Sequence, residues 1–122
     1  MNSLNFGGPT HKNTLLAGNH LVHTLILQGH YAEAKKLSRK LMSQCRRALG
    51  PADAHTIVVR QNYAETLYGD ARASRADIRQ AVTILEDVVR TSRRVLGNRH
   101  PDTLDAVVDL ERARMRREDV AA

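Results

Sequence analysis

Six histidines and one cysteine are the residues of this 122-residue chain best suited to metal or covalent chemistry. His20 and His23 sit three apart, close enough to share one face of a helix, and His30 follows. That spacing can juxtapose two ligands, but a metal centre needs a further donor in a recognised pattern, and none accompanies them. The histidines therefore read as polar surface or groove groups, and no metal is expected. Cys45 has Arg46 beside it, which favours a thiolate. A nucleophilic thiol also needs a base in reach, and Cys45 falls on the apolar edge of a helical pattern. The carboxylates are dispersed or set at helical spacing from arginine, as in Glu86 and Arg90. No phosphate loop or dinucleotide fingerprint occurs. These residues predict a chain that is not an enzyme and takes no cofactor.

A second feature is cationic. Residues 1–50 carry seven Lys and Arg against Glu33 alone, whereas the remainder of the chain is balanced, so the net charge of +6 is local. Lys35, Lys36, Arg39, Lys40, Arg46 and Arg47 share one helical arc of roughly 140°. A solvated outer face is the simplest reading of that arc; an acidic protein partner is the alternative. Nucleic acid is not expected, because no aromatic residues are interleaved for base stacking.

The elements that position these groups follow from composition and period. Hydrophobic residues are 42% and charged residues 26%, with no Trp, one Phe and three Tyr, which predicts one soluble domain with an aliphatic core. The richest apolar stretch, Leu21 to Leu27, is broken by His23 and Thr24 and is too short to span a membrane. Met1 to Phe6 lacks the basic and apolar regions of a secretory signal. With a single cysteine, this points to the cytosol.

The chain repeats itself. Gly8-Pro9-Thr10-His11 through Thr14-Leu15 recurs as Gly50-Pro51 through Thr56-Ile57 and as Gly97 through Thr103-Leu104. The spacings between the threonines are 42 and 47 residues, and the Gly69 to Arg75 stretch looks like the insertion that makes the difference. Within each unit the apolar period is helical. Leu15, Leu16, Leu21, Val22, Leu25 and Ile26 mark one helix. Ala34, Leu37, Leu41, Cys45 and Ala48 mark the next. A third is predicted near Ala54 to Tyr68, and a fourth carries Ile78, Ala81, Val82, Leu85, Val88, Val89, Val95 and Leu96. Gly50-Pro51 and Gly97 supply stop chemistry, and Ser74 with Asp77 suits an N-terminal cap. A fifth helix opens at Pro101-Asp102 and runs to about Arg117, with Leu104, Val107, Val108 and Leu110 expected inside. No alternating pattern indicates a strand.

Leu21, Val22, Leu25, Gly29, Tyr31, Glu33, Ala34, Leu37 and Leu49-Gly50-Pro51, repeated in part as Asn62, Ala64, Leu67, Ala81, Leu85 and Val95-Leu96-Gly97, then His100-Pro101-Asp102-Thr103, resemble the tetratricopeptide repeat of the 42-residue, kinesin-light-chain-like kind. The resemblance covers about residues 8–117. It implies an all-α, right-handed solenoid of antiparallel helix pairs: repeat 1 over 13–50, repeat 2 over 54–97 and a capping or partial third repeat over 100–117. Residues 1–12 are expected to be extended and 118–122 to be a tail. The resemblance further implies a concave groove lined by Leu16, Asn19, His23, Ile26 and Leu27, by Val58, Gln61, Glu65 and Tyr68, and by Arg112. There the Asn19 and Gln61 amides would hydrogen-bond the backbone of an extended peptide. Clamping of a terminal carboxylate is not expected, since Arg60 is the nearest candidate. Two other functions stay open: a piece of a longer array that self-associates through uncovered ends, and an electrostatic binder acting through residues 35–47.

Overall fold

The structure, a computed structural model, describes residues 12–121. The expected extended segment lies, but for Lys12, outside them. Five helices follow in order: α1 (Lys12–Leu27), α2 (Tyr31–Leu49), α3 (Ala54–Tyr68), α4 (Arg75–Val95) and α5 (Pro101–Ala121). The described residues contain no strand. The starts of α3, α4 and α5 are capped by side chains, whereas His30 before α2 makes no side-chain cap bond. Asp53 Oδ1 accepts from the His55 amide at 2.8 Å, and Ser74 Oγ accepts from the Asp77 amide at 3.0 Å. His100 plays the same part for α5, its Nδ1 accepting from the Asp102 amide at 3.1 Å. Gly50 and Gly97 follow the ends of α2 and α4 with φ of 88° and 98°, which side chains with a Cβ rarely adopt.

Each helix packs on the next, and α1 also lies on α3 and α3 on α5. This is an all-α tetratricopeptide-like solenoid of helix pairs. The core is aliphatic and has two parts. Leu15, Val22, Ile26, Leu41 and Cys45 join α1 and α2 to Val59 of α3. Ile57, Leu67, Ile78, Leu85 and Val88 join α3 and α4 to Ala106, Leu110 and Ala113 of α5. Burying one such large side chain contributes about 1.5–3 kcal/mol. Small residues set the helix spacing: Ala34 and Ala81 are fully buried. A Cβ on Gly18 of α1 would lie only 2.7 Å from Leu41 Cδ2 of α2.

Several details differ from the sequence pattern. α5 does not end near Arg117 but continues to Ala121. Of the four apolar residues expected inside it, Leu110 is buried and Val107 packs against the core, but Leu104 and Val108 do not. Thr103, Ala106, Asp109, Leu110 and Ala113 are buried, while Leu104 and Val108 are 52% and 47% exposed. Leu104 occupies the same register as Leu15 and Ile57, which are 1% and 0% exposed. Those two are covered by the second helix of their own pair, and α5 has no such partner among the described residues. Val95 and Ala48 are also exposed rather than inside. Glu86 and Arg90 do not pair: Glu86 meets Arg114 at 3.3 Å, and Arg90 meets Asp87 at 3.4 Å.

Candidate groove formed by the first helices

Because α1, α3 and α5 stack in the same sense, equivalent positions fall side by side. They enclose a cavity of about 770 Å³. One row across it is Leu16, Val58 and Asp105. A second is Asn19, Gln61 and Val108. A third is His23, Glu65 and Arg112, and Leu27 extends the α1 side. Within each row the residues are 42 and 47 positions apart, the spacing of the repeat itself. The structure thus brings Leu16, Asn19, His23, Leu27, Val58, Gln61, Glu65 and Arg112 to one surface. Ile26 and Tyr68 do not line it; each is only 5% exposed and belongs to the core.

The amides are not free, as the resemblance had implied. Asn19 Oδ1 accepts from Asn62 Nδ2 at 2.7 Å, and Gln61 Nε2 donates to Asp109 Oδ2 at 2.7 Å. Among the described residues, Asn19 Nδ2 and Gln61 Oε1 have no partner. Both side chains are about nine-tenths buried and line the cavity, so one donor group and one acceptor remain for a guest.

Asp109 is the organising residue that the sequence pattern missed. Its charge suggests a solvated position, yet it is 8% exposed. Besides Gln61 it accepts the Tyr68 hydroxyl at 2.8 Å, and Arg112 approaches it at 3.9 Å. Its register, shared with His20 and Asn62, was the signal that could have found it, because both neighbours line the groove. The buried carboxylate marks its surroundings. Burial first, and then the Asp109 charge, pushes the Tyr68 phenol far above its ordinary range. Burial first, then Asp109, also raises the Glu65 carboxyl, with His23 and Arg112 acting in the opposite sense.

The wall contributed by α5 and Glu65 is acidic. Glu65, Asp102, Asp105 and Asp109 line it against Arg112 alone. The α1 wall offers Leu16, Asn19, His20, His23 and Leu27 instead. Arg60 does not reach the groove; it pairs with Asp87 at 2.8 Å.

The cationic arc of α2 divides in two. Lys36, Arg39, Lys40 and Arg47 border a shallow recess of about 420 Å³ with Ser43 and Gln44. Lys35 and Arg46 stand apart from it, and Lys35 pairs with Asp77 at 3.6 Å. Arg39 lies 5.9 Å from the centre of the Tyr63 ring. Covalent chemistry gains no support at Cys45. The thiol is fully buried, and burial, then Asp53, pushes it up, away from a thiolate. No group of three or more His, Cys, Asp or Glu among the described residues is arranged for a metal ion. None of the helices, over the described residues, is long and apolar enough to cross a membrane.

Neither a curated protein nor a solved structure matches the chain. A family profile described as tetratricopeptide repeat matches residues 14–55 and 69–102. The two matched stretches carry α1 with α2 and α4 with the start of α5, and together they span more than half of the sequence. The chain belongs to the tetratricopeptide repeat family.

Proposed function

We propose that the groove between α1, α3 and α5 holds an extended segment of a protein partner, with no catalytic step. Tetratricopeptide repeats generally mediate protein–protein interaction as non-catalytic scaffolds. The observation that carries the finer reading is the pair of half-used amides: Asn19 Nδ2 and Gln61 Oε1 offer a donor and an acceptor to a cavity large enough for a few residues of extended chain. An extended backbone carries both complements, so it satisfies both atoms at once. The exposed or half-buried Leu16, Val58 and Leu27 supply apolar contact beside them. A cytosolic setting suits the single buried, unpaired Cys45. Selection of phage-displayed random dodecapeptides on the immobilised chain tests the reading. Enriched peptides are expected to lose binding to Val58→Trp and Leu16→Trp, which fill the groove without changing its charge. Peptides indifferent to both variants would place the binding surface elsewhere.

Two observations support other readings. Leu104, Val108 and Met115 form an exposed apolar stripe along α5, at 52%, 47% and 65% exposure, which suits end-to-end association. Light scattering that gives a dimer, reverting to monomer on Leu104→Lys, would favour assembly. The Lys36, Arg39, Lys40 and Arg47 recess suits an acidic partner; binding that is lost on Lys36→Glu with Lys40→Glu and is indifferent to Val58→Trp would favour it.

A further inference from the structure

The groove's charge says more about its occupant than its shape does. The chain has six more cations than anions, and outside the groove four of its nine carboxylates meet a lysine or arginine. Asp77 meets Lys35, Asp87 meets Arg60 and Arg90, Glu86 meets Arg114, and Asp70 meets Arg72. In the groove the pattern fails. The carboxylates of Glu65, Asp102 and Asp105 have no hydrogen-bond or ion-pair partner among the described residues, and no lysine lines the cavity. Arg112 is the one arginine there and leans on Asp109 at 3.9 Å, and the remaining basic groups are histidines, of which His23 acts on Glu65. Glu65 is partly buried beside Asp109, so two like charges share a surface with reduced access to water. Such a surface favours a guest that brings the missing positive charge.

We infer that the partner segment is cationic on one side and apolar on the other, its lysine or arginine seated against Glu65, Asp102 and Asp105 and its apolar side chain against Leu16, Val58 and Leu27. This rests on the proposed peptide-binding role of the groove and adds the chemical class of the guest. Two opposite walls fix the direction of the segment's side chains. Alternate residues of an extended chain point to opposite sides, so a cation and an apolar residue one position apart meet α5 and α1 respectively. A guanidinium fits best, because its planar donors can serve two carboxylates at once.

The phage selection already described reads this directly. The enriched pool should be rich in Lys and Arg and poor in Asp and Glu, with a cation adjacent to an apolar residue. Synthetic peptides of the enriched sequences, titrated by calorimetry, should lose at least about tenfold in affinity to Asp105→Lys and several-fold to Glu65→Gln. Binding should also weaken as NaCl rises from about 50 to 500 mM. A pool blocked by Val58→Trp but without cations, and unchanged by Asp105→Lys, would overturn the charge inference while leaving the groove reading intact. A pool indifferent to Val58→Trp, or no enrichment at all, would overturn both. Asp105 is exposed and its side chain makes no hydrogen bond or ion pair among the described residues, so Asp105→Lys should fold like the parent chain.

Discussion

Gln61 Nε2 donates to Asp109 Oδ2 at 2.7 Å, tying α3 to α5. One repeat earlier, Asn62 and Asn19 make the equivalent bond between α3 and α1 at the same distance. The two bonds use register-equivalent residues, so each repeat fastens its groove-facing amide to the first helix of the next. Val108 takes that register in α5 and offers no such group.

This makes Asp109 a stability determinant as well as part of a binding surface. Asp109→Ala leaves the Gln61 amide and the buried Tyr68 hydroxyl without an acceptor and should cost about 2–3 kcal/mol. Tyr68→Phe removes one donor but leaves the carboxylate with Gln61, and should cost about 1–2 kcal/mol. Urea midpoints of the three proteins give the comparison. A loss for Tyr68→Phe equal to that for Asp109→Ala would contradict the shared-acceptor arrangement.

Glu65 gives a pH signature. Its carboxyl is raised in the folded chain, by burial first and by Asp109 second. The folded state therefore holds this proton more tightly than the unfolded state, and stability falls as pH rises from the ordinary carboxyl range through the raised value. Glu65→Gln should be more stable than the parent at pH 7 and no more stable below the ordinary range. Thermal melts at about pH 3.5 and pH 7 measure the difference.

Three buried hydroxyls set the repeats apart. Thr56 Oγ1 donates to the Cys45 carbonyl at 3.3 Å. At the equivalent place one repeat on, Thr103 Oγ1 and Ser92 Oγ are buried with no hydrogen-bond partner among the described residues. Thr56→Val should cost about 1 kcal/mol, whereas Thr103→Val and Ser92→Cys should be neutral or stabilising by up to about 1 kcal/mol. Denaturant unfolding of the three variants decides, and a loss in Thr103→Val as large as in Thr56→Val would refute the asymmetry.

The longer turn between α3 and α4 begins in a tight place. A Cβ on Gly69 would lie 2.8 Å from the Glu65 carbonyl and 2.9 Å from Tyr31 Cε1. The carbonyl cannot move without disturbing the end of α3. Gly69→Ala should cost about 1–3 kcal/mol, read as a lowered melting temperature. A gain in stability would show that the turn relaxes freely.

The helices were legible because their signals are local. Ser74 and Asp77, Gly50-Pro51, Gly97 and the 42-residue recurrence act within a few residues of themselves, and the third helix falls at Ala54–Tyr68 as its pattern indicates. The rows across the groove were legible through the repeat, since register alone places Asn19 beside Gln61. What stayed hidden depends on neighbours. Leu104 and Val108 look like core by hydrophobicity, yet α5 turns its small face, Ala106 and Ala113, toward the rest of the chain. Asp109 looks like surface by charge, and only Gln61 and Tyr68, distant in sequence, explain its burial. The pairing of Glu86 with Arg114 instead of Arg90 likewise comes from the packing of α5 on α4.

The clips between successive first helices have a mechanical corollary. Straightening the arc stretches the Asn19–Asn62 and Gln61–Asp109 links together, since both cross the inner seam. A visitor that captured the Asn19 oxygen or the Gln61 nitrogen would unfasten one rung from the next and flatten the coil. A guest held at Asn19 Nδ2 and Gln61 Oε1 instead uses the other end of each amide and leaves both rungs fastened.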